Sequence, residues 1–179
     1  MLHRLRVEKS YTYNNGCYEM QKITVISVGR LKEDFFKAAE KEYAKRLSGF
    51  CDLKIIEVNG QQLPQNPTVG QIEAALSKEA EDIVSKIPKG SEIVTLCIEG
   101  KLYSSEELSK FISSNANMGS GSITFIIGSS FGLSETVKAK SKLRISMSKM
   151  TFPHRLARIM LLEQIYRGFQ IEAGSKYHK

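Results

Sequence analysis

The chain has 179 residues with 26 Lys+Arg and 19 Asp+Glu, a formal net charge of +7. Hydrophobic residues make up 41% and charged residues 25%, a composition that suits one globular domain and excludes a wholly disordered chain. No apolar run approaches the roughly 20 residues that a bilayer-spanning helix needs. The excess positive charge favours a polyanionic partner, nucleic acid first and anionic membrane second.

The N-terminal segment does not share the pattern of the rest of the chain. Residues 1–19 show neither strand nor helix periodicity over a useful length. They also lack the apolar core of a secretory signal and contain acids that a transit peptide avoids. At Met20 a short charged start leads into a β-branched run. We therefore predict that residues 1–19 are an N-terminal extension outside the fold and that residues 20–179 form one domain.

Strand and helix patterns alternate after Met20. Short β-branched runs predict strands, and apolar residues at helical spacing predict helices. The predicted strands are residues 22–28, 52–58, 92–98, 123–127 and 143–147. The predicted helices are residues 33–47, 69–87, 104–114, a short one after residue 132, and 154–171. This alternation predicts an α/β fold with a mostly parallel sheet and helices on both faces.

Local signals mark some of the boundaries. Ser104 followed three residues later by Glu107 predicts a capping box at the start of a helix. Residues 115–122 are rich in Asn, Gly and Ser and predict a turn before the fourth strand. Pro153 occupies a position that the first residue of a helix favours, which predicts the start of the last helix there.

Three predicted loops follow the carboxyl ends of strands: residues 99–104, 128–132 and 148–152. Because ligands of open parallel sheets bind at that edge, we expect any chemistry where these loops converge. The three cysteines, Cys17, Cys51 and Cys97, are far apart in sequence, which indicates a reducing cytoplasm. None of the three histidines stands at metal-ligand spacing, so no metal site is predicted.

The loop at residues 128–132 fits the pattern G-x-S-x-G between a strand and a helix. In a serine hydrolase this pattern exposes the serine as a nucleophile, here Ser130, with Glu163 and His178 following in the right order. Against a hydrolase, only about fifty residues follow the serine, which leaves little sheet to carry its partners. The other interpretation is that the glycines let the backbone approach a bound molecule closely.

The last predicted helix and the tail combine apolar and polar features. Its apolar stripe, typical of core or of core plus a subunit interface, comprises Leu156, Ile159, Met160, Leu161, Leu162, Ile165, Tyr166 and Phe169. Its basic residues, ordinarily a solvated face, are Arg155, Arg158 and Arg167. The chain ends in a phenol, an imidazole and two lysines, a set suited to contacting phosphate and moving a proton.

Taken together, several segments resemble the ribosomal RNA large subunit methyltransferase H family, which belongs to the SPOUT class. They are ITVISVGRLKEDFF (23–36), TLCIEGK (95–101), FIIGSSFGLS (125–134), ISMSKMTFPHRLARIMLLEQIYRGF (145–169) and YHK (177–179). The resemblance covers essentially all of residues 20–179 and supports Met20 as the start. One departure is Ser129, which stands where the family usually has a second glycine and adds a side chain near the cofactor.

The resemblance implies a C-terminal trefoil knot whose loops hold S-adenosyl-L-methionine. It implies N3-methylation of a pseudouridine in large-subunit (23S) rRNA of assembled ribosomes. Carried over residue by residue, the family's cofactor contacts fall on Leu96, Gly128, Met147, Ser148, Lys149, Met150, Thr151 and Phe152. A serine hydrolase and a non-catalytic RNA-binding module are the alternative functions.

The same resemblance suggests roles for the tail and the last helix. His178 is the candidate for assisting removal of the N3 proton, and Tyr177 for orienting the base or the histidine. The candidates for holding RNA phosphate are Arg167 and Lys179, with Arg155 and Arg158 as weaker ones. The family completes its site with a second subunit, which implies a homodimer in the cytoplasm without membrane or metal.

Overall fold

The computed structural model describes residues 11–14, 17–118 and 121–177. Its strands are β1 (Tyr11–Asn14), β2 (Cys17–Met20), β3 (Lys22–Val28), β4 (Asp52–Val58), β5 (Glu92–Leu102), β6 (Ser122–Ile127) and β7 (Leu143–Ser146). Its helices are α1 (Asp34–Leu47), α2 (Val69–Lys86), α3 (Ser105–Met118), α4 (Glu135–Lys140) and α5 (His154–Glu172).

Five parallel strands form the central sheet in the order β4-β3-β6-β5-β7. One core lies between this sheet and α1, α3 and α5, and a second core lies between the opposite face and α2 and α4. The predicted α/β class with a parallel sheet and helices on both faces is therefore confirmed. The trefoil knot stays a prediction.

The burial of β3 explains its unbroken run of apolar and β-branched residues. Ile23 and Val25 point into the first core, whereas Ile26 and Val28 point into the second. A strand covered on both faces does not alternate between apolar and polar residues, because neither face meets water. The predicted bounds of β3 and β4 agree with the structure, although β4 is an edge strand with only Val58 buried.

The start of α3 confirms the predicted capping box. The Ser104 amide donates to Glu107 Oε2 at 2.8 Å, and the Glu107 amide donates to Ser104 Oγ at 3.2 Å. The end of α3 differs from the prediction, because the helix continues to Met118 across the expected turn. Asn115 and Ala116 are buried there, at 8% exposure each, so tertiary packing outweighs the weak helix preference of Asn115.

Strand β5 is longer than predicted, so the expected loop at residues 99–104 is mostly strand. β5 pairs with β7 twice, and the register shifts between Leu96 and Lys101. A Cβ on Gly100 would lie 2.6 Å from the Ile145 carbonyl carbon, so only glycine lets the two backbones approach there. The bulge that results carries residues 97–99 out of the ladder.

The segment before Met20 contains an antiparallel pair, separate from the central sheet. Tyr11 lies opposite Met20 and Asn14 opposite Cys17 in this pair of β1 and β2. The boundary of the fold at residue 20 stays a prediction. No helix in the described part of the chain is long and apolar enough to cross a membrane.

Candidate active-site cleft

A cleft of about 920 Å³ lies at the carboxyl ends of β5, β6 and β7, beside the start of α5. Its lining comes from the bulge of β5, the loop after β6, the loop after β7 and the first residues of α5. Strand-end loops were expected to converge at this edge. The loops at residues 128–132 and 148–152 do so, and the third contribution is the β5 bulge rather than a loop.

The loop after β6 turns back so tightly that its backbone leaves no room for a side chain. A Cβ on Gly128 would lie 2.2 Å from the Gly132 carbonyl oxygen and 2.5 Å from its carbon. The Gly132 amide donates to the Ser129 carbonyl at 3.0 Å, which closes the turn, and Gly132 has a φ of 86°. The space that Gly128 leaves is filled by the backbone of the loop itself at Gly132, and the interpretation that the glycines let the backbone approach a bound molecule stays a prediction.

The β5 bulge supplies a wall that the sequence patterns did not predict. Cys97, Ile98 and Glu99 line the cleft, and Glu99 is ion-paired there with Lys138 of α4. The hydrogen bond from Lys138 holds the pKa of Glu99 below its ordinary value, while burial raises the pKa of the Cys97 thiol. A glycine inside a strand pattern, here Gly100, was the available signal for the bulge.

The loop after β7 is held by serine hydroxyls. Ser146 Oγ donates to the Ser148 carbonyl at 2.9 Å, and the Met150 amide donates to Ser148 Oγ at 3.0 Å. Seven of the eight residues carried over as cofactor contacts line the cleft: Leu96, Gly128, Met147, Ser148, Met150, Thr151 and Phe152. The eighth, Lys149, is exposed and does not line it.

The first turn of α5 closes one side of the cleft with His154 and Arg155. His154 Nε2 lies 3.3 Å from the point that a Cβ on Gly29 would occupy. Burial, followed by the neighbouring Arg155 charge, lowers the pKa of His154 below its ordinary value, so the imidazole is neutral at pH 7. Arg155 is ion-paired with Glu33, just before α1.

Arg158 lies in the protein interior, and the expectation that it contacts RNA is corrected here. Its side chain is 3% exposed and ion-paired with Glu40 of α1 and Glu57 of β4. It also donates to Ser27 Oγ at 3.1 Å. A guanidinium enclosed in this way cannot reach a phosphate, and it attaches α5 to α1 and to the sheet instead.

Tyr177 lies along α5 rather than in the cleft. Its hydroxyl donates to Glu163 Oε1 at 3.3 Å, and the same carboxylate oxygen accepts from Arg167 Nη2 at 2.7 Å. Glu163 is nine residues after His154, a separation of about 14 Å along the helix. His178 and Lys179, expected in catalysis and in RNA binding, lie outside the described residues.

The hydrolase alternative gains no support from this arrangement. Glu163, its expected acid, bonds to Arg167 and Tyr177 and does not line the cleft with Ser130. Within residues 11–14, 17–118 and 121–177, no group of three or more His, Cys, Asp or Glu side chains could hold a metal ion.

Comparisons with known proteins point to methyltransferases. Residues 21–178 match the family model described as "Predicted SPOUT methyltransferase". The chain is 48% identical over 157 residues to Ribosomal RNA large subunit methyltransferase H of Clostridium botulinum (strain Alaska E43 / Type E3). It is 46% identical over 157 residues to the protein of the same name from Clostridium acetobutylicum. Each match covers 88% of this chain and 99% of the relative.

A solved structure resembles the fold as well. It is titled "The structure of a probable methylase family protein from Haemophilus influenzae Rd KW20". The TM-score is 0.50 at 15% sequence identity, and the match covers 89% of this chain and 72% of that chain. At this identity the likeness concerns the fold alone.

Proposed function

The chain belongs to the ribosomal RNA large subunit methyltransferase H family of SPOUT methyltransferases, and from that premise we propose that it N3-methylates a pseudouridine of 23S rRNA in assembled ribosomes. S-adenosyl-L-methionine is the methyl donor in this proposal. The observation that carries it is the cleft, because residues from three of the segments that resemble the family, 95–101, 125–134 and 145–169, meet there.

The residues of the cleft fit such a cofactor. The lining is mainly apolar, with Leu96, Met147 and Phe152 among its side chains, and suits an adenine ring. The absent side chain of Gly128 lets the Gly132 carbonyl fold back against the end of β6, and this tight turn is part of the lining of the cleft. When bound, the sulfonium supplies an already activated methyl group. The protein then has to hold the uracil ring in line with that methyl and accept the N3 proton.

In this proposal the C-terminal tail, residues 175–179, supplies the groups that remove the N3 proton. We assign deprotonation to the His178 imidazole, and to Tyr177 the orientation of the base or of the histidine. Tyr177 is held by its bond to Glu163 and by the Arg167 guanidinium, which lies 4.8 Å from its ring centroid. Arg167 and Lys179 are assigned to RNA phosphate, with Arg155 as a weaker candidate.

The separation of Tyr177 from its own cleft favours a homodimer. If the tail of one copy reaches the cleft of a second copy, both halves of the chemistry meet without any rearrangement of α5. A single small domain has too little surface to recognise one nucleotide by itself. Specificity for the target nucleotide therefore comes from further contacts with the ribosome. In this proposal the enzyme acts on ribosomes in the cytoplasm.

Tritiated methyl transfer tests the proposal directly. The substrate is ribosomes isolated from cells that lack this protein, and the modified nucleoside is mapped after the reaction. We expect one 3-methylpseudouridine in 23S rRNA. Transfer to no RNA, with RNA binding that does not depend on S-adenosylmethionine, would support the non-catalytic binding module instead.

The tail assignments predict losses of rate without losses of cofactor binding. Because a positioned general base typically contributes about 100-fold or more, His178→Ala should lower kcat at least that much. Tyr177→Phe keeps the ring and should lower kcat about tenfold, the order expected for one lost hydrogen bond to a charged group. Calorimetry should give an unchanged Kd for S-adenosylmethionine. An equal loss of cofactor affinity would contradict the catalytic assignment.

A mixed dimer tests whether the site is shared. His178→Ala removes the tail function and Gly128→Ala the cleft, so each homodimer should be nearly inactive. Random mixing makes half of the dimers mixed, each with one intact site, so about a quarter of wild-type activity should return. The control mixes each variant with itself after the same unfolding and refolding. No recovery from mixed chains shown to associate would exclude the shared site.

A further inference from the structure

The segment between β3 and α1 lies at the edge of the cleft and has no role in the mechanism above. Both of its ends touch cleft-lining residues of α5. Gly29 lies against His154, with 3.3 Å between Nε2 and the point a Cβ would occupy, and Glu33 is ion-paired with Arg155. The residues between these two contacts, 30–32, therefore run along the rim of the cleft.

Leu31 fixes the direction of its two neighbours. Its side chain is 7% exposed, and its amide donates to Glu57 Oε1 at 3.4 Å. Arg30 and Lys32, on either side, are both exposed. One buried anchor therefore presents two cations to solvent, and we refer to Arg30 and Lys32 as the basic rim.

The basic rim differs from the arginines of α5 in its charge balance. Arg155 and Arg167 each face a glutamate, which offsets their attraction for a phosphate. Arg30 donates a hydrogen bond to an amide oxygen, Asn59 Oδ1, at 3.4 Å. Among the residues that the structure describes, neither Arg30 nor Lys32 forms an ion pair with a carboxylate. Their charge is therefore available to an external anion.

An exposed aromatic ring follows the basic rim. Phe35, in the first turn of α1, is 65% exposed, with its ring centroid 4.3 Å from that of Phe36. Phe35 follows Lys32 by three residues in the chain, and its exposed ring is available for stacking on a flat group of a partner. Phosphates and unstacked bases of RNA are the ligands that this combination suits, through charge and through stacking.

We propose that the basic rim and Phe35 form an RNA-docking surface at the entrance of the cleft, which binds nucleotides flanking the target. Arg30 and Lys32 contact backbone phosphates, and Phe35 stacks on an unpaired base. This inference rests on the proposed function, because the docking surface would position the RNA so that its target nucleotide reaches the cleft and the C-terminal residues.

The experiment measures steady-state methyl transfer and sedimentation with ribosomes for Arg30→Ala/Lys32→Ala and for Phe35→Ala. Each should raise KM for ribosomes about tenfold, with kcat and the Kd for S-adenosylmethionine unchanged. In a salt series, the double variant should reduce the slope of log KM against log salt by about 1.5, the value for two phosphate contacts. Lys86→Ala/Lys89→Ala removes the same charge from exposed sites at the opposite end of the sheet and should behave as wild type.

The outcomes separate the two proposals. If the wild-type protein transfers no methyl group to ribosomes, the proposed function fails, and ribosome sedimentation still tests the surface. If the wild type is active but the double variant keeps its KM, sedimentation and salt slope, the docking surface is excluded. An equal rise in KM for the Lys86/Lys89 control would show that the effect comes from the net charge of the protein and not from the basic rim. Conversion of Phe35→Ala to a monomer would assign the ring to subunit contact and overturn its stacking role.

Discussion

Gly128→Ala is expected to abolish detectable methyl transfer while leaving the chain folded. The added Cβ would lie 2.2 Å from the Gly132 carbonyl oxygen and 2.9 Å from Leu133 Cγ, so the loop has to move. The contact is with backbone rather than with the end of a flexible side chain, and overpacking of this kind costs about 1–3 kcal/mol. Because Gly128 lines the cleft, the displacement also moves the groups that face the cofactor.

The expected loss of activity is therefore the product of two effects, one on cofactor affinity and one on turnover. If the cost is borne when the cofactor binds, affinity for S-adenosylmethionine falls up to about 100-fold, by the conversion of 1.4 kcal/mol to a factor of ten. Misplacement of the methyl group by about 1 Å costs a further 100-fold in turnover. Calorimetry gives the first loss, and single-turnover transfer at saturating cofactor gives the second.

Gly70→Ala is the matched control for that change. Gly70 lies in the first turn of α2, and a Cβ there would meet nothing within 4 Å. Alanine also favours a helix over glycine by up to about 1 kcal/mol, so this variant should be as active and at least as stable as the wild type. Unchanged cofactor affinity in Gly128→Ala would show that the turn is not part of the cofactor site.

Most of the scaffold could be predicted from the sequence because its signals are local. The bounds of β3 follow from a β-branched run covered on both faces, and the start of α3 follows from the reciprocal bonds of Ser104 and Glu107. These features depend on residues adjacent or three apart in the chain. Patterns within a single window are sufficient to detect them.

The parts that were missed depend on contacts distant in sequence. α3 continues through Asn115 because that residue becomes buried, and β5 continues past residue 98 because Gly100 meets the backbone of β7. The position of Arg158 is the clearest case, since its partners Glu40 and Glu57 lie more than one hundred residues away. On the helix alone, Arg158 is indistinguishable from an exposed arginine.

The positive charge of the chain also shows the difference between what local sequence signals reveal and what distant contacts decide. Net charge indicates attraction to a polyanion, but it does not say which cations are free to act. Arg155, Arg158 and Arg167 were the natural candidates on sequence, and the structure pairs each with a glutamate. Arg30 and Lys32 of the β3–α1 segment lie within a stretch that resembles the family, but nothing in the sequence showed that their charges are not offset by carboxylates.

Arg158→Met is expected to lower the free energy of unfolding by about 3–5 kcal/mol at pH 8, because removing one partner of a buried ion pair leaves the other uncompensated. Burial already raises the pKa of Glu40 above its ordinary value of 4.5, and Arg158 opposes that rise. Without Arg158 the pKa of Glu40 rises further. A carboxyl whose folded pKa is raised begins to destabilise the fold as the pH rises through its unfolded pKa, and the full destabilisation is reached above the folded pKa.

The deficit of Arg158→Met relative to the wild type should therefore be largest at pH 8 and should shrink as the pH falls toward 5. Urea unfolding of both proteins at the same protein concentration, at pH 8 and at pH 5, measures this deficit. Arg158→Met/Glu40→Gln should recover part of the loss at pH 8, since one of the two uncompensated carboxylates, that of Glu40, is gone and that of Glu57 remains. Arg46→Met breaks an exposed pair with Glu42 and should cost less than about 1 kcal/mol. A deficit that is equally large at both pH values would mean that lost packing, rather than the uncompensated carboxylates, is what destabilises the variant.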